Sequence, residues 1–334
     1  MRVAVIIPTK DRPEFLAEAI ASARSQGHPP EEIIIVDDAS ATPVDAERLR
    51  EAHGPAVRVI RNDESRGLAY SRNRGVEETS AEFIIHLDDD DLLAPDAIEQ
   101  CCLVMQALPE AELVFFAARG FGPNAEHFNR VQPEGIRRVI DLGRGREVRP
   151  NVILFGPELF AALLKTVPIA FQRVMVSTML WKKISELRRN VYRLAPGILS
   201  DDDARASITG PLRDSEWARY AALVCGRTAL IDQPLYLQRC GNQGYSSLPA
   251  NKDLHMHQGL EILNHLAEGT RRMPELAQWR SQTNDALGQA HFDAAYRRLQ
   301  AGNRKEAWTY LTRAMSSGIK MKHLRLALRI GLSR

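Results

Sequence analysis

Along the first 118 residues short apolar runs alternate with stretches of helical spacing. The runs at 3–7, 33–36, 57–60, 83–87 and 113–117 have the length and composition of buried strands. Between them, 11–24, 43–52, 67–78 and 95–108 read as helices; in the first, Phe15, Leu16, Ala19, Ile20 and Ala23 fall on one face, and Asp11 with Glu14 forms a capping-box-like start. This strand–helix alternation predicts one half of a doubly wound α/β sheet, mostly parallel and Rossmann-like.

The pattern then changes twice. Residues 119–160 are broken by Gly120, Gly122 and Pro123, and the Arg-rich stretch 137–149, with Gly143 and Gly145, reads as a loop or hairpin. Helices are expected at 155–167 and 217–224. From about residue 254 the strand signal stops. Helical periodicity covers 254–267, 274–299 and 305–316, with Gly302-Asn303 between the last two. Residues 290–314 look like one tetratricopeptide-type pair, and one pair is no array. The expected organisation is an α/β domain over 1–250, divided into halves at 118, followed by an α-helical C-terminal extension over 251–334.

Composition excludes little, and charge distribution adds one point. The 334 residues carry a net charge of +2, but 297–334 hold ten Lys/Arg against Glu306 alone. Residues 319–332 interleave Leu324, Leu326, Leu328 and Ile330 with Lys320, Lys322, Arg325 and Arg329. Such a segment either lies peripherally on an anionic membrane, at the inner face of the plasma membrane, or packs on the body as an ordinary helix. No apolar run is long enough to span a bilayer, and the N-terminus lacks a signal-peptide pattern. Cys101, Cys102, Cys225 and Cys240 show no metal-ligand spacing and read as reduced thiols. A cytoplasmic protein with no nucleic-acid partner is expected.

Candidate chemistry gathers at strand ends. The run 83–87 stops in four carboxylates, Asp88 to Asp91, and 33–36 stops in Asp37-Asp38. Parallel α/β sheets bind ligands at the carboxyl ends of their strands. Adjacent carboxylates near a low-dielectric core need compensation, which a Mg2+ or Mn2+ ion carrying a nucleoside diphosphate supplies. A second acidic run, Asp201-Asp202-Asp203, follows no apolar strand and reads as solvated.

Four segments in order, Ile7-Pro8-Thr9-Lys10-Asp11-Arg12, Val36-Asp37-Asp38-Ala39-Ser40, Gly67-Leu68-Ala69-Tyr70-Ser71-Arg72-Asn73 and Leu87-Asp88-Asp89-Asp90-Asp91, resemble the family 2 GT-A glycosyltransferases. The resemblance covers roughly residues 1–118, with weaker echoes to about 247. It implies an inverting transfer of sugar from a nucleoside diphosphate sugar, UDP-sugar foremost, to an acceptor hydroxyl, in cell-surface polysaccharide or glycolipid synthesis. Pro8, Thr9 and Asp38 would line the base and ribose pocket. Arg72 would approach the nucleotide, Asp88 with Asp89 the ribose side, and Asp90 the metal. Asp11 is either a ligand or only a helix cap, and Asn73 a ligand or a packing residue.

The same resemblance directs attention to Arg213-Asp214-Ser215-Glu216-Trp217. Glu216 takes the general-base position with Asp214 nearby; the alternative is that both favour a helix N-terminus. The family's Arg-x-His is Arg239-Cys240-Gly241 here, which implies Arg239 as a phosphate contact and leaves the third protein ligand of the metal unassigned. Residues 242–247 have the composition of a lid. A saccharide or lipid-linked acceptor is implied. Two rivals remain: a nucleotidyltransferase, which would want a Gly-rich basic signature after the first strand, and a catalytically silent scaffold that binds partners through its helical tail.

Overall fold

The computed structural model describes residues 1–194, 213–241 and 249–332. It divides into two compact units, Met1–Arg189 with Asp201–Gly244, and Asn190–Ser200 with Tyr245–Arg334.

The first unit is built on a ten-stranded mixed sheet. Its strands are β1 (Val3–Thr9), β2 (Glu32–Asp37), β3 (Val57–Arg61), β4 (Phe83–His86), β5 (Leu92–Leu93), β6 (Leu113–Phe121), β7 (Arg146–Arg149), β8 (Val152–Phe155), β9 (Val174–Ser177) and β10 (Thr228–Arg239). They lie in the order β3-β2-β1-β4-β9-β6-β10-β8-β7, with β5 paired to β10. The first four are mutually parallel, as the alternating pattern predicts. Beyond β4 the sheet is mixed, because β9 runs antiparallel to both β4 and β6. Each side chain of β1 is buried, so both sheet faces are covered.

Helices α1 (Pro13–Arg24), α2 (Ala46–His53), α3 (Leu68–Glu78) and α4 (Ala97–Ala107) occupy the positions the spacing predicts, a few residues shorter. Pro13 opens α1, and Leu16, Ala19, Ile20 and Ala23 bury its inner stripe, each large one stabilising by about 1.5–3 kcal/mol. Phe15 does not join that stripe; it is exposed, with the Arg239 guanidinium over its ring at 4.7 Å. Helix α3 lies very close to the sheet, since a Cβ on Gly75 would come within 2.4 Å of Ile6 Cγ2.

Two expectations in the middle of the chain are corrected. Residues 125–142 form helix α5 (Ala125–Leu142), so the loop expected over 137–149 begins only at Gly143 and leads into the β7–β8 hairpin. Pro133 and Gly135 inside the helix masked it, although Gln132, Ile136 and Val139 carry a buried stripe at helical spacing. Phe155 ends β8 rather than starting a helix; α6 is Glu158–Leu163. A 3-10 turn at Ile169–Gln172 leads into β9, then α7 (Thr178–Tyr192) and α8 (Arg213–Val224).

The second unit contains α9 (Pro249–Arg272), α10 (Arg280–Gln300), α11 (Arg304–Met315) and α12 (Met321–Leu332). The pair read over 290–314 is the α10–α11 hairpin. It turns at Gly302, whose φ is +78°, and Asn303 caps α11 by accepting from Glu306 N at 3.1 Å. Ala295, Ala307, Leu311, Leu326 and Ile330 form a small apolar core.

Candidate active site

The parallel strands end along one edge, and their last residues tie the neighbouring loops together. Asp38, just past β2, is buried and accepts from Asn62 Nδ2 (2.6 Å), Ser65 Oγ (2.9 Å), Arg66 N (2.8 Å) and Gly67 N (2.9 Å). Burial alone would raise its pKa, but these donors outweigh burial and hold it below the usual carboxylate range. Through these bonds Asp38 ties the end of β2 to the 62–67 loop and the start of α3. Asp11 is not a helix cap: Arg12 precedes α1 without a side-chain cap bond. Asp11 has φ +55° and accepts instead from Ala41 N at 2.7 Å, while its own N–H donates to Ser40 Oγ at 3.0 Å. Pro8 and Thr9 end β1, and Thr9 Oγ1 donates to Asp89 at 2.7 Å.

The four aspartates after β4 have four different environments. Asp88 accepts from Arg72 at 2.5 Å and from Arg173 at 3.1 Å. Burial opposes its charge, yet the two guanidinium groups lower its pKa. Asp89 is buried against Thr9 and Arg12. Asp90 is the most open, its side chain 36% exposed, with Arg12 Nη1 at 3.0 Å. Asp91 is buried, accepts from Arg239 N at 2.7 Å and is pushed up to about 7 by burial and the Asp88 charge. Burial likewise raises Asp89 and Asp90.

One strand pins both ends of this run. Tyr236 on β10 accepts from Asp88 N through its hydroxyl at 3.2 Å. Three residues on, Arg239 bonds Asp91 through its backbone N–H and the Asp90 carbonyl through Nε at 2.8 Å. The Arg239 guanidinium also pairs with Glu18 at 2.7 Å and sits over the rings of Phe15 and Phe121. It is held at the rim of the aspartate run.

The two candidate bases separate sharply. Asp214, in the first turn of α8, pairs with Arg72, and its other oxygen lies 3.7 Å from Arg173; its side chain is 23% exposed. Arg72 therefore bridges Asp88 and Asp214. Glu216 is 0% exposed and pairs with the buried Arg188 at 2.8 Å. A general base has to reach the acceptor hydroxyl it deprotonates; of the two carboxylates Asp214 is the one open to solvent and tied to the aspartate run, whereas Glu216 faces Arg188 in the interior. Trp217 stacks on Trp181 at 4.5 Å, and Trp181 Nε1 donates to Asn73 Oδ1, so Asn73 positions this aromatic pair.

Sequence reasoning missed Arg173 and gave Arg12 no role. Arg173 is buried, reaches Asp88, Asp91 and Asp214, and lies over the Tyr236 ring at 4.3 Å. Its signal was an arginine inside the apolar segment 169–176, where burial demands anionic partners. Asp201 to Asp203 and the stretch 242–247 lie outside the described residues.

Residues 4–165 match the family model described as Glycosyl transferase family 2. This region belongs to glycosyltransferase family 2. A glucosyl-dolichyl phosphate glucuronosyltransferase of Haloferax volcanii is 32% identical over 118 residues, 34% of this chain and 37% of that protein. The chain matches between 13% and 39% of the length of the first such curated relatives. Among solved structures, S. aureus TarS 1-349 in complex with UDP-GlcNAc aligns with a TM-score of 0.56 at 16% identity, covering 99% of this chain and 79% of that one. The mannosyltransferase PcManGT from Pyrobaculum calidifontis, in complex with GDP-Man and Mn2+, aligns at 0.54 and 17% identity, covering 99% and 80%. The fold is that of the GT-A enzymes.

Among the described residues no group of three or more His, Cys, Asp or Glu side chains is gathered as a metal cage. The cluster nonetheless suits a cation. Five carboxylates (Asp88, Asp89, Asp90, Asp91 and Asp214) share the guanidinium groups of Arg12, Arg72 and Arg173, and Asp90 remains open. Magnesium is commonly held by one or two carboxylates, with phosphate oxygens completing its shell.

Proposed function

We propose that this protein is an inverting glycosyltransferase that moves a sugar from a nucleoside diphosphate sugar to an acceptor hydroxyl, with Asp214 as general base. The observation that carries the reading is the Arg72 bridge between Asp88, in the donor-side aspartate run, and Asp214, the partly exposed carboxylate of α8. Asp90 would hold Mg2+ or Mn2+, and such an ion supplies positive charge to a departing diphosphate. Thr9 and Asp89 border the donor side, and Arg239 stands at the rim for a phosphate. Asp38 and Asp11 act at one remove, by fixing the loops around the nucleoside.

In the proposed step Asp214 accepts the proton of the acceptor hydroxyl as its oxygen attacks the anomeric carbon. The bond from that carbon to the diphosphate oxygen breaks, and the configuration inverts. Arg72 and Arg173 fix the Asp214 carboxylate, so its orientation is set before the acceptor arrives. The nucleotide sugars held by the two fold neighbours support this donor class, with a UDP-sugar first. The dolichyl phosphate in the name of the Haloferax relative supports a lipid-linked saccharide acceptor and a place in cell-surface glycan synthesis.

The test is nucleotide release from UDP-, GDP- and dTDP-sugars with saccharide and lipid-linked acceptors, run beside calorimetry with each nucleotide. Release from one donor class, abolished in Asp214→Asn, is expected. Absence of nucleotide binding in the presence of divalent cation would overturn the reading in favour of a silent scaffold.

A further inference from the structure

Helix α12 is apolar on two sides, and its own unit covers only one of them. Leu326 and Ile330 are buried in the core made with Ala295, Ala307 and Leu311, and His323 is buried on the same side. On the opposite side Met321, Leu324 and Leu328 are 66%, 44% and 65% exposed, and Ile319, just before the helix, is 65% exposed. Three of the four most exposed large apolar side chains among the described residues, Ile319, Met321 and Leu328, thus fall within ten residues here. Spacings of three and four put Met321, Leu324 and Leu328 on one stripe. Lys322, Arg325 and Arg329 repeat that spacing one residue along, so a cationic stripe runs beside the apolar one. Lys322 Nζ reaches over the Phe292 ring at 4.6 Å, and Arg329 over Tyr296 at 5.6 Å, which sets these cations at the boundary between the helix and its neighbour.

We propose that this face of α12 docks in the plane of an anionic lipid bilayer. An apolar stripe flanked by cations matches the bilayer boundary, where acyl chains lie beneath anionic headgroups. A second copy of the chain fits less well, because face-to-face stripes would oppose cations to cations within a segment that carries ten Lys/Arg and one Glu. No helix among the described residues is long and apolar enough to cross a membrane, so α12 lies along the surface. The inference does not depend on the proposed catalytic reading. It concerns a surface of the second unit, and its readout needs no donor.

The full chain is mixed with vesicles of phosphatidylcholine containing about 30% phosphatidylglycerol, or of phosphatidylcholine alone, and sedimented at low and high salt. Sedimentation with the anionic vesicles alone, reversed by roughly 0.5 M salt, is expected. Leu324→Ser/Leu328→Ser should cut partition at least about tenfold, and Arg325→Gln about fivefold. Both variants should keep the wild-type melting temperature, because these side chains are exposed. The proposal is overturned if the full chain ignores anionic vesicles at low salt, or if neither variant changes partition. It is equally overturned if the leucine variant converts a dimer to a monomer while vesicle binding stays the same. Nucleotide calorimetry on the same variants tells this failure from failure of the catalytic reading, since donor binding should be unaffected by either.

Discussion

Exchanging Asp214 for Asn and Glu216 for Gln should produce opposite phenotypes two residues apart. Glu216 is wholly enclosed and pairs with Arg188, itself buried. Neutralising it leaves a buried guanidinium short of its partner, a change that costs about 3–5 kcal/mol. For a unit of this size each kcal/mol lowers the melting temperature by about 2–4 °C, so Glu216→Gln should melt roughly 6–20 °C early. Asp214→Asn should cost at most about 2 kcal/mol, because the amide oxygen still accepts from Arg72, Asp88 still pairs with it, and one of five crowded carboxylates loses its charge. Its effect belongs to turnover: a fall of about 100-fold or more, with donor affinity near wild type. Scanning fluorimetry gives the first quantity, and nucleotide release with calorimetry the second. A Glu216→Gln protein that melts like wild type yet has lost turnover would refute this reasoning and return the base to α8's second carboxylate.

Three other outcomes are expected. Asp90→Asn should bind nucleotide equally with and without chelator, whereas the wild type should need Mg2+ or Mn2+; calorimetry that finds no metal effect on the wild type removes Asp90 from the site. Arg173→Gln should lose about 3–5 kcal/mol in denaturant titration, and adding Asp91→Asn should recover part of that loss, since one buried carboxylate then no longer needs the cation. Asp38, whose hydrogen bonds depress its pKa, contributes stability that is present above about pH 4 and lost as pH falls through its folded-state pKa. The melting deficit of Asp38→Asn at pH 7 should therefore shrink below about pH 4; a deficit independent of pH would mean that shape rather than charge holds the 62–67 loop.

The first four strands and their helices were legible because a parallel strand buried on both faces has to be a continuous apolar run, and β1, β2 and β4 are such runs. Helix α5 was not, since Pro133 and Gly135 interrupt a pattern whose buried positions are only three in number. At the site, the aspartate run announced itself through like charges in sequence. The choice between Asp214 and Glu216 could not be read that way: both stand in the first turn of one helix, and only the partner beneath each, Arg72 or Arg188, decides which meets solvent. Arg173 was hidden for the same reason. Its three carboxylates come from positions 88, 91 and 214, far apart in the chain.

The spacing between Tyr236 and Arg239 equals that between Asp88 and Asp91, and each member of one pair holds its counterpart in the other. The two segments therefore behave as a single cassette despite the intervening chain. Exchanging sequence between relatives of this fold should succeed when the crossover leaves both segments from one parent. It should fail when the aspartate run comes from one parent and β10 from the other, even if each half folds on its own. A single-residue deletion between 236 and 239 would slip the ruler by one position and free one end of the run, whereas an insertion among residues of the sheet's far edge, at β7, leaves the match intact.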